Sequence, residues 1–396
     1  MRWEATYKIT TPIFLAGAEQ EKTPELRPPS FKGLLRFWFR AVALPKVGDW
    51  KEVQKLEKEL FGSTDRQSSF FLDLKIERAD KIPLSDFNDK FGLIYLGYGL
   101  FRNGKQRPYY RGNSIFTLRL LSKKRKITEE AKFLLPLALK ALGLFGGAGA
   151  RSRRGFGSLS LLSLSLDGEK TWKAPTNVDG LVASYREFLS VLGLKTAVES
   201  ELPDYTAFSG RTKIWIGKTG KNPIDLLDEI GLELLHYRSY GEKENGKYTL
   251  PDKDGERVRA EQNFASDHNL IMQFCHTGEI KKHPDRIAFG LPHNYYFSST
   301  RDNVQIRPTG KAGRRASPLF IHIHELSNDS YAAVFSLFPA KFLPEDTKIE
   351  ISVKNIHEEK ARHRKEIDYN EDCIDFQIIG DFMERPVFTQ KVVVWP

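Results

Sequence analysis

Apolar and polar residues alternate at the start of the chain. Positions 3, 5, 7 and 9 are apolar and their neighbours are polar, which predicts a half-buried β-strand over residues 2–9. A proline-rich loop follows, and Ser30 is a suitable cap for a helix. Apolar side chains then recur at the helical period and predict a buried stripe: Phe31, Leu34, Leu35, Trp38 and Val42.

Further elements complete a first structural unit. The same periodicities predict a helix over 49–60, strands over 70–76 and 116–120, a helix over 128–144 and a strand over 159–166. The doubled Leu161–Leu162 in the last strand predicts a β-bulge. With the insertions after the first helix and the second strand set aside, the order is β-α-β-β-α-β. This is the ferredoxin-like arrangement, which RRM proteins also have.

The second half of the chain predicts another α+β unit. Helices are expected over 223–237 and 263–276, and strands over 212–217, 286–290, 318–325, 331–338, 348–355 and 391–395. The polar run over 238–261 is expected to be mobile. We predict the α+β fold class with two tandem ferredoxin-like domains that carry insertions. The domains are 1–170, a connecting segment over 171–205 with one helix, and a divergent second domain over 206–396.

Charge is distributed unevenly along the 396 residues, whose formal net charge is +10. From Arg102 to Lys126 there are nine basic residues and no acidic one, and from Arg27 to Arg40 there are four and none. Acidic residues gather in 225–233 and 358–375. Such basic runs indicate a polyanionic partner, although a solvated surface is the alternative for each run taken alone.

Several protein classes are excluded by the composition. No apolar run approaches the roughly 18 residues of a membrane span, so no membrane contact is expected. Two cysteines are too few for a disulfide scaffold or a four-cysteine zinc site. The first residues lack the pattern of a secretory signal, so a cytoplasmic protein is predicted.

The most informative motif is a glycine-rich loop over 146–157. Glycines let backbone N–H groups approach a phosphate, and arginines add charge and planar hydrogen-bonding forks. No Gly-Lys-Ser/Thr ending and no following helix are present, so nucleoside triphosphate binding is excluded. We predict a clamp on an RNA backbone in which Phe156 stacks on a base, with a flexible connector as the alternative. Its other candidate residues are Gly146, Gly147, Gly149, Arg151, Arg153, Arg154, Gly155 and Gly157.

Three further basic segments are candidates for contact with single-stranded RNA. One is a helix face that follows two prolines, where a helix start can receive a phosphate. Another interleaves arginines with tyrosines, which suits unpaired nucleic acid, and the third is a turn that leads into a strand. A solvated surface is the alternative for each. The residues are Lys32, Arg36 and Arg40 in the helix, Arg107 and Arg111 beside the tyrosines, and Arg314 and Arg315 in the turn.

Few residues are candidates for catalysis. All nine histidines lie between His236 and His363, outside the first unit. His322 and His324 share a strand face, as metal ligands can, but no third ligand is evident and structural roles are favoured. A metal-independent ribonuclease needs only a histidine and a basic partner, so His236 or His293 could serve. No catalytic residue, metal or cofactor is assigned.

The glycine-rich loop, placed between the last helix and the last strand of a ferredoxin-like unit, resembles the signature of the RAMP superfamily of CRISPR-associated proteins. Thr11–Ala18, Pro24–Trp38 and Gly147–Gly157 together are similar to first subunits of the Cmr complex, the type III-B RNA-guided effector. The resemblance is dense over 1–166. Beyond that range it rests mainly on Arg314–Leu319.

The resemblance implies two tandem RAMP domains in a non-catalytic subunit that binds RNA near the 3′ end of the guide and helps to hold guide and target in antiviral defence. Single-stranded RNA and other RAMP subunits of the Cmr complex would be its partners. The implied RNA path includes Lys32, Arg36, Arg40, Arg151, Arg153 and Arg154. Two alternatives stay open: a metal-independent endoribonuclease of the superfamily, and a basic assembly scaffold without direct RNA contact.

Overall fold

A computed structural model describes most of the chain. It covers residues 1–19, 22–79, 81–82, 87, 89–102, 105–123, 127–194, 201–310, 313–327, 329–355, 357, 360–389 and 392–395. Three residues of the first basic run, Lys124, Arg125 and Lys126, lie outside the described residues. So do 195–200 of the predicted connecting segment and Lys391 of the last predicted strand.

The first half contains nine described strands and five described helices. The strands are β1 (Arg2–Ile9), β2 (Phe70–Arg78), β3 (Lys81–Ile82), β4 (Phe101–Arg102), β5 (Lys105–Gln106), β6 (Tyr109–Tyr110), β7 (Ile115–Ser122), β8 (Leu159–Leu166) and β9 (Glu169–Lys170). The helices are α1 (Pro28–Val47), α2 (Trp50–Phe61), α3 (Phe91–Leu96), α4 (Glu129–Leu144) and α5 (Val178–Leu192).

The main sheet of this half has the order β2-β7-β1-β8-β9 and is antiparallel throughout. Its first four strands have the ferredoxin-like order, with α1 and α4 as the two connecting helices. Tyr7 in β1 pairs with Phe116 in β7 and Leu161 in β8. The register between β1 and β8 shifts at this point and leaves Leu162 unpaired, which confirms the predicted bulge.

Helix α1 begins before its predicted cap, so the prediction of a cap at Ser30 is wrong. Pro28 and Pro29 occupy the first turn, whose N–H groups have no partner within a helix, and their missing donors therefore cost little. The helix ends at Gly48, where φ is 78° and the N–H donates to Leu44 O. In α4 the predicted cap is confirmed, because the Thr128 hydroxyl accepts from the Ala131 N–H.

The second half contains eleven described strands and three described helices. The strands are β10 (Lys213–Gly220), β11 (Glu242–Glu244), β12 (Lys247–Pro251), β13 (Arg257–Arg259), β14 (His293–Phe297), β15 (Asp302–Pro308), β16 (Leu319–Ser327), β17 (Ser330–Leu337), β18 (Lys348–Asn355), β19 (His363–Asp368) and β20 (Val392–Trp395). The helices are α6 (Pro223–Arg238), α7 (Ala265–Thr277) and α8 (Gln377–Met383).

The second half repeats the ferredoxin-like topology. Its main sheet has the order β16-β17-β10-β20, with α6 after the first strand and α8 before the last. The insertions form two smaller sheets, β11-β12-β13 and β14-β15-β18-β19. The predicted class, α+β with two tandem ferredoxin-like units, is confirmed.

Two local predictions for the second half are wrong. Residues 285–289 form a 3-10 helix and no strand, because the Asp267 carboxylate accepts from the Asp285 and Arg286 N–H groups at 2.8 and 2.9 Å. The polar run over 238–261, expected to be mobile, contains the three paired strands β11, β12 and β13. There Arg257 bridges Glu242 and Glu244 across the strands, and such pairing needs no apolar pattern.

Each of the two hydrophobic cores takes side chains from both halves. Phe320 and Phe338 of the second half pack on Trp38 of α1, with ring centroids 5.8 and 6.2 Å apart. Conversely, Phe14 and Phe156 of the first half belong to the core beneath α6. Neither half closes its core alone, and the proposed boundaries at 170 and 205 stay predictions.

Candidate nucleic-acid interface

The glycine-rich loop is folded tightly against the segment that follows β1. Gly157 N–H donates to Pro12 O at 2.9 Å, and Ala150 N–H donates to Phe14 O at 2.9 Å. Gly157 has a φ of 63°, and a Cβ there would lie 2.0 Å from Ala148 O. Glycine is therefore required at this turn. These N–H groups are occupied within the protein, so the loop does not offer them to a phosphate.

The loop also joins the two halves of the molecule. Arg154 forms a parallel bridge with Ile321 of β16, and Ile321 N–H donates to Arg153 O at 3.0 Å. The Ser158 hydroxyl accepts from Ile323 N–H two residues further along. We call this contact between residues 146–158 and 317–323 the interdomain seam. The loop is thus a structural joint, and the flexible-connector alternative is wrong.

Phe156 faces inward at the seam. Its side chain is fully buried and meets Phe14 edge-on, with ring centroids 5.7 Å apart. The prediction that Phe156 stacks on an RNA base is wrong, because its aromatic surface is already covered by protein.

The three loop arginines have different environments. Arg151 is exposed and donates to the carbonyl oxygen of Tyr98, itself an exposed residue. Arg153 donates to Ser317 O at 2.6 Å, and its guanidinium lies 4.5 Å from the Phe320 ring centroid. Burial, and then the charge of Arg315, lower the pKa of Arg153 to about 10. Burial, followed by the charges of Arg238 and Arg151, likewise lowers the pKa of Arg154 to about 10.

The predicted basic face of α1 is partly neutralised. Arg36 Nε and Arg40 Nη1 donate to one carboxylate oxygen of Glu57 in α2, at 2.6 and 3.0 Å. Glu57 has only 5% of its side chain exposed, so the two arginines tie α1 to α2. Lys32 has its pKa lowered by partial burial and then by Arg36 and Lys123. The face keeps a positive excess, since one carboxylate serves two arginines.

The second basic segment places its arginines and tyrosines differently. Arg107 and Arg111 are exposed, whereas Tyr109 and Tyr110 are only 3% and 2% exposed and belong to the cores. The tyrosines are therefore unavailable for stacking. Arg107 lines a small cleft of about 140 Å³ beside Phe14, and Arg111 lines a larger one of about 440 Å³ between the halves.

The third basic segment lies at the seam. Arg314 is exposed. Arg315 pairs with Leu291 through its backbone, and its guanidinium is 5.6 Å from the Phe342 ring centroid. Burial lowers the pKa of Arg315. Of its side-chain nitrogens, Nε and Nη2 are buried with no hydrogen-bond partner among the described residues.

Sequence reasoning missed two arginines that the fold brings to the seam. Arg238 is the last residue of α6, and its Nη1 donates to Tyr95 Oη at 3.2 Å. Arg286 lies in the 3-10 helix, and its Nη1 donates to Arg238 O at 2.7 Å. They are 48 positions apart and show no common motif, so only the tertiary fold reveals them.

The paired histidines are structural and lie at the same seam. His322 Nδ1 is 2.9 Å from Gly146 O, and His322 Nε2 is 3.2 Å from His324 Nδ1. Burial lowers the pKa of His322 to about 4 and that of His324 well below its usual range. Within the described ranges, no three His, Cys, Asp or Glu side chains are grouped to hold a metal ion.

This histidine pair predicts acid sensitivity. Unfolded histidines take up protons below about pH 6.5, whereas the buried pair stays neutral to a lower pH, so stability present above pH 6.5 is lost as the pH falls toward 4. His322 alone should lower the free energy of unfolding in urea by about 2 kcal/mol between pH 7 and pH 5, and His324 should add to this drop. The variant H276Q, at an exposed histidine, should show the same drop. If H322Q/H324Q kept the full pH dependence, the pair would not be its source.

Two ferredoxin-like units joined through a glycine-rich, arginine-bearing loop define a class of RRM-related proteins. Comparisons with known proteins agree with this class. The family model of the RAMP superfamily matches residues 6–160. The CRISPR system Cmr subunit Cmr1-2 of Pyrococcus furiosus is 32% identical over 187 residues, 41% of this chain and 97% of that protein. Cmr1-1 of the same organism is 28% identical over 326 residues, 81% of this chain and 83% of that protein.

The chain belongs to the RAMP superfamily, in the group of Cmr1 subunits. Solved structures show the same fold. The crystal structure of apo Cmr1 from Pyrococcus furiosus has a TM-score of 0.56 and 22% identity, with 100% of this chain and 99% of that chain covered. A chain of the cryo-EM structure of Type III-B Cmr-beta bound to cognate target RNA has a TM-score of 0.51 and 13% identity, with 98% of each chain covered. In the described part of this chain, no helix is long and apolar enough to cross a membrane.

Proposed function

We propose that this chain is a non-catalytic, RNA-binding subunit of a cytoplasmic type III-B CRISPR (Cmr) effector complex. In that complex it contacts the guide RNA near its 3′ end, the target RNA, or both, beside other RAMP subunits. The relatives that support this are Cmr subunits by name, and the Cmr-beta complex in the similar structure is bound to target RNA.

One observation carries the proposal. None of the three loop arginines, Arg151, Arg153 and Arg154, forms an ion pair with a carboxylate among the described residues. The side chains of Arg151 and Arg153 donate to backbone carbonyls instead. The α1 arginines, by contrast, share Glu57. Cations without a carboxylate partner keep their charge available for phosphates, which dominate the affinity of proteins for nucleic acid.

The exposed arginines outline a path for the RNA backbone. Arg107 and Arg151 both flank the segment around Phe14, because Arg107 lines a cleft with Phe14 and the loop is bonded to Phe14 O. Arg111 lines the neighbouring cleft with Thr10 and Pro12 at the other end of this segment. The path is lined by charge, and Phe156, Tyr109 and Tyr110 beside it are buried, so contact with the RNA backbone is favoured over stacking on these rings.

Crosslinking tests the proposed contact. The assembled complex is irradiated with its guide and target RNA, and the crosslinked peptides are identified. Adducts are expected within 146–157 and 107–113, whereas adducts confined to the small sheet that contains β18 and β19 would contradict the proposed path. Incubation of end-labelled RNA with the full chain in the absence of metal should leave it intact, and specific cleavage lost in H293A would favour the endoribonuclease alternative.

A further inference from the structure

Cations from the two halves of the chain meet beside the interdomain seam. Arg154 comes from the glycine-rich loop, Arg238 from the end of α6 and Arg286 from the 3-10 helix. Arg286 holds the backbone of Arg238 through a 2.7 Å hydrogen bond to its carbonyl oxygen. The Arg238 guanidinium lies 4.5 Å from the Phe289 ring centroid, and its charge helps to lower the pKa of Arg154. The charges of all three arginines act on the buried His293 ring and lower its pKa, after burial itself, which places them around one group.

Their charge is not balanced by the carboxylates nearby. Asp267 lies 3.4 Å from Arg286 Nε and also accepts from two backbone N–H groups, so its oxygens are occupied. Arg154 and Arg238 form no ion pair with any carboxylate in the described ranges. Partly buried cations without an anion are unfavourable, since water no longer solvates them fully and no charge replaces it.

Two buried nitrogens in this cluster also lack hydrogen-bond partners. Nε of Arg238 and Nε2 of His293 are buried and have no hydrogen-bond partner among the described residues. The His293 ring lies 4.8 Å from the Tyr295 ring, and the Arg286 guanidinium is 4.4 Å from the same ring. The Arg238 Nε–H is a donor, and an unsatisfied buried donor carries a cost that an arriving acceptor relieves.

We propose that Arg154 and Arg238, supported by Arg286 and His293, form a phosphate site that is completed by both halves of the chain. Guanidinium forks suit the oxygens of a phosphate. Arg154 and Arg238 each keep part of their surface exposed. This assignment extends the proposed RNA contact to the second half of the chain. The phosphate belongs either to an RNA backbone or to a free phosphate ion.

Thermal unfolding of the full chain tests the site. Inorganic phosphate is compared with chloride at equal ionic strength for the wild type, for R154Q and R238Q, and for R257Q as control. Arg257 lies on the small β11–β13 sheet and is paired with Glu242 and Glu244. Phosphate should raise the melting temperature of the wild type and of R257Q by several degrees, as a ligand of the native state does. It should not raise that of either R154Q or R238Q.

The variants separate binding from a structural role. In chloride R154Q should melt no lower than the wild type, because an unbalanced cation is removed. A clear loss of stability in chloride, or no phosphate effect on the wild type, would overturn the site.

Binding of single-stranded RNA then identifies the source of the phosphate. A roughly tenfold loss of affinity in R238Q assigns an RNA phosphate, since one charged hydrogen-bonded contact has about this value. If R238Q keeps its RNA affinity but loses the effect of phosphate on its melting temperature, the ligand is a free phosphate ion. The proposed RNA-binding function then stands independently of this site.

Discussion

Replacement of Gly157 by alanine is expected to lower the free energy of unfolding by about 3 kcal/mol, through a left-handed backbone and a backbone clash together. Its φ is 63°, and the new Cβ would lie 2.0 Å from Ala148 O. Relief of that clash would move the loop away from Pro12 O, to which Gly157 N–H donates. Urea unfolding monitored by tryptophan fluorescence measures the change.

Gly168 supplies the matched control for this prediction. It also has a positive φ, 92°, but no atom lies within 4 Å of a Cβ placed there. G168A should therefore cost only the backbone term, about 1 kcal/mol. Equal losses in G157A and G168A would show that the close packing of the loop does not contribute to stability.

Charge reversal at three exposed arginines, in the triple variant R107E/R111E/R151E, is expected to lower the affinity for single-stranded RNA on the order of a hundredfold at 0.1 M salt. Each phosphate contact contributes about 0.7 to the salt slope for a single strand, so three contacts contribute about two decades of affinity between 1 M and 0.1 M salt. All three side chains are exposed, and the fold should be retained. Fluorescence anisotropy of labelled RNA measures the loss.

A triple variant elsewhere controls for net charge. Lys348, Lys354 and Lys365 lie on β18 and β19, and K348E/K354E/K365E changes the charge by the same amount. Their ion pairs with Asp368 and Glu279 are exposed and contribute little to stability. This control should lose less than tenfold in affinity. A hundredfold loss in both triples would show a general charge effect and no defined RNA path.

The first unit could be predicted from the sequence because its core pattern is local. Trp3, Tyr7 and Trp38 recur with the strand and helix periods, and each lies in the first core as expected. The second unit follows the same order, but three short strands, a helix and two further strands separate α6 from β16. Helices α6 and α7 and the main strands could be read from periodicity, whereas the short helix α8 and the pairing order could not.

Sequence patterns predicted which segments form the candidate site, but not whether their side chains are buried or exposed. The glycine-rich loop was singled out correctly as a special segment, yet the exposure of an aromatic residue cannot be read from its neighbours in sequence. Phe156 and Tyr109 pack on Phe14, about a hundred positions away, in a core that also contains residues of the second half. Arg238 and Arg286 were missed for the same reason, since only the packing of α6 on the first half brings them to the loop.

The dependence of RNA affinity on salt tests the central claim most directly. Titration of the full chain with labelled single-stranded RNA at several salt concentrations gives the slope of log K against log salt. Four exposed arginines, Arg107, Arg111, Arg151 and Arg314, predict a slope of about −2.8, which should fall to about −0.7 in R107E/R111E/R151E. No affinity at low salt, or a slope that the triple variant leaves unchanged, would contradict an RNA-binding role for these residues.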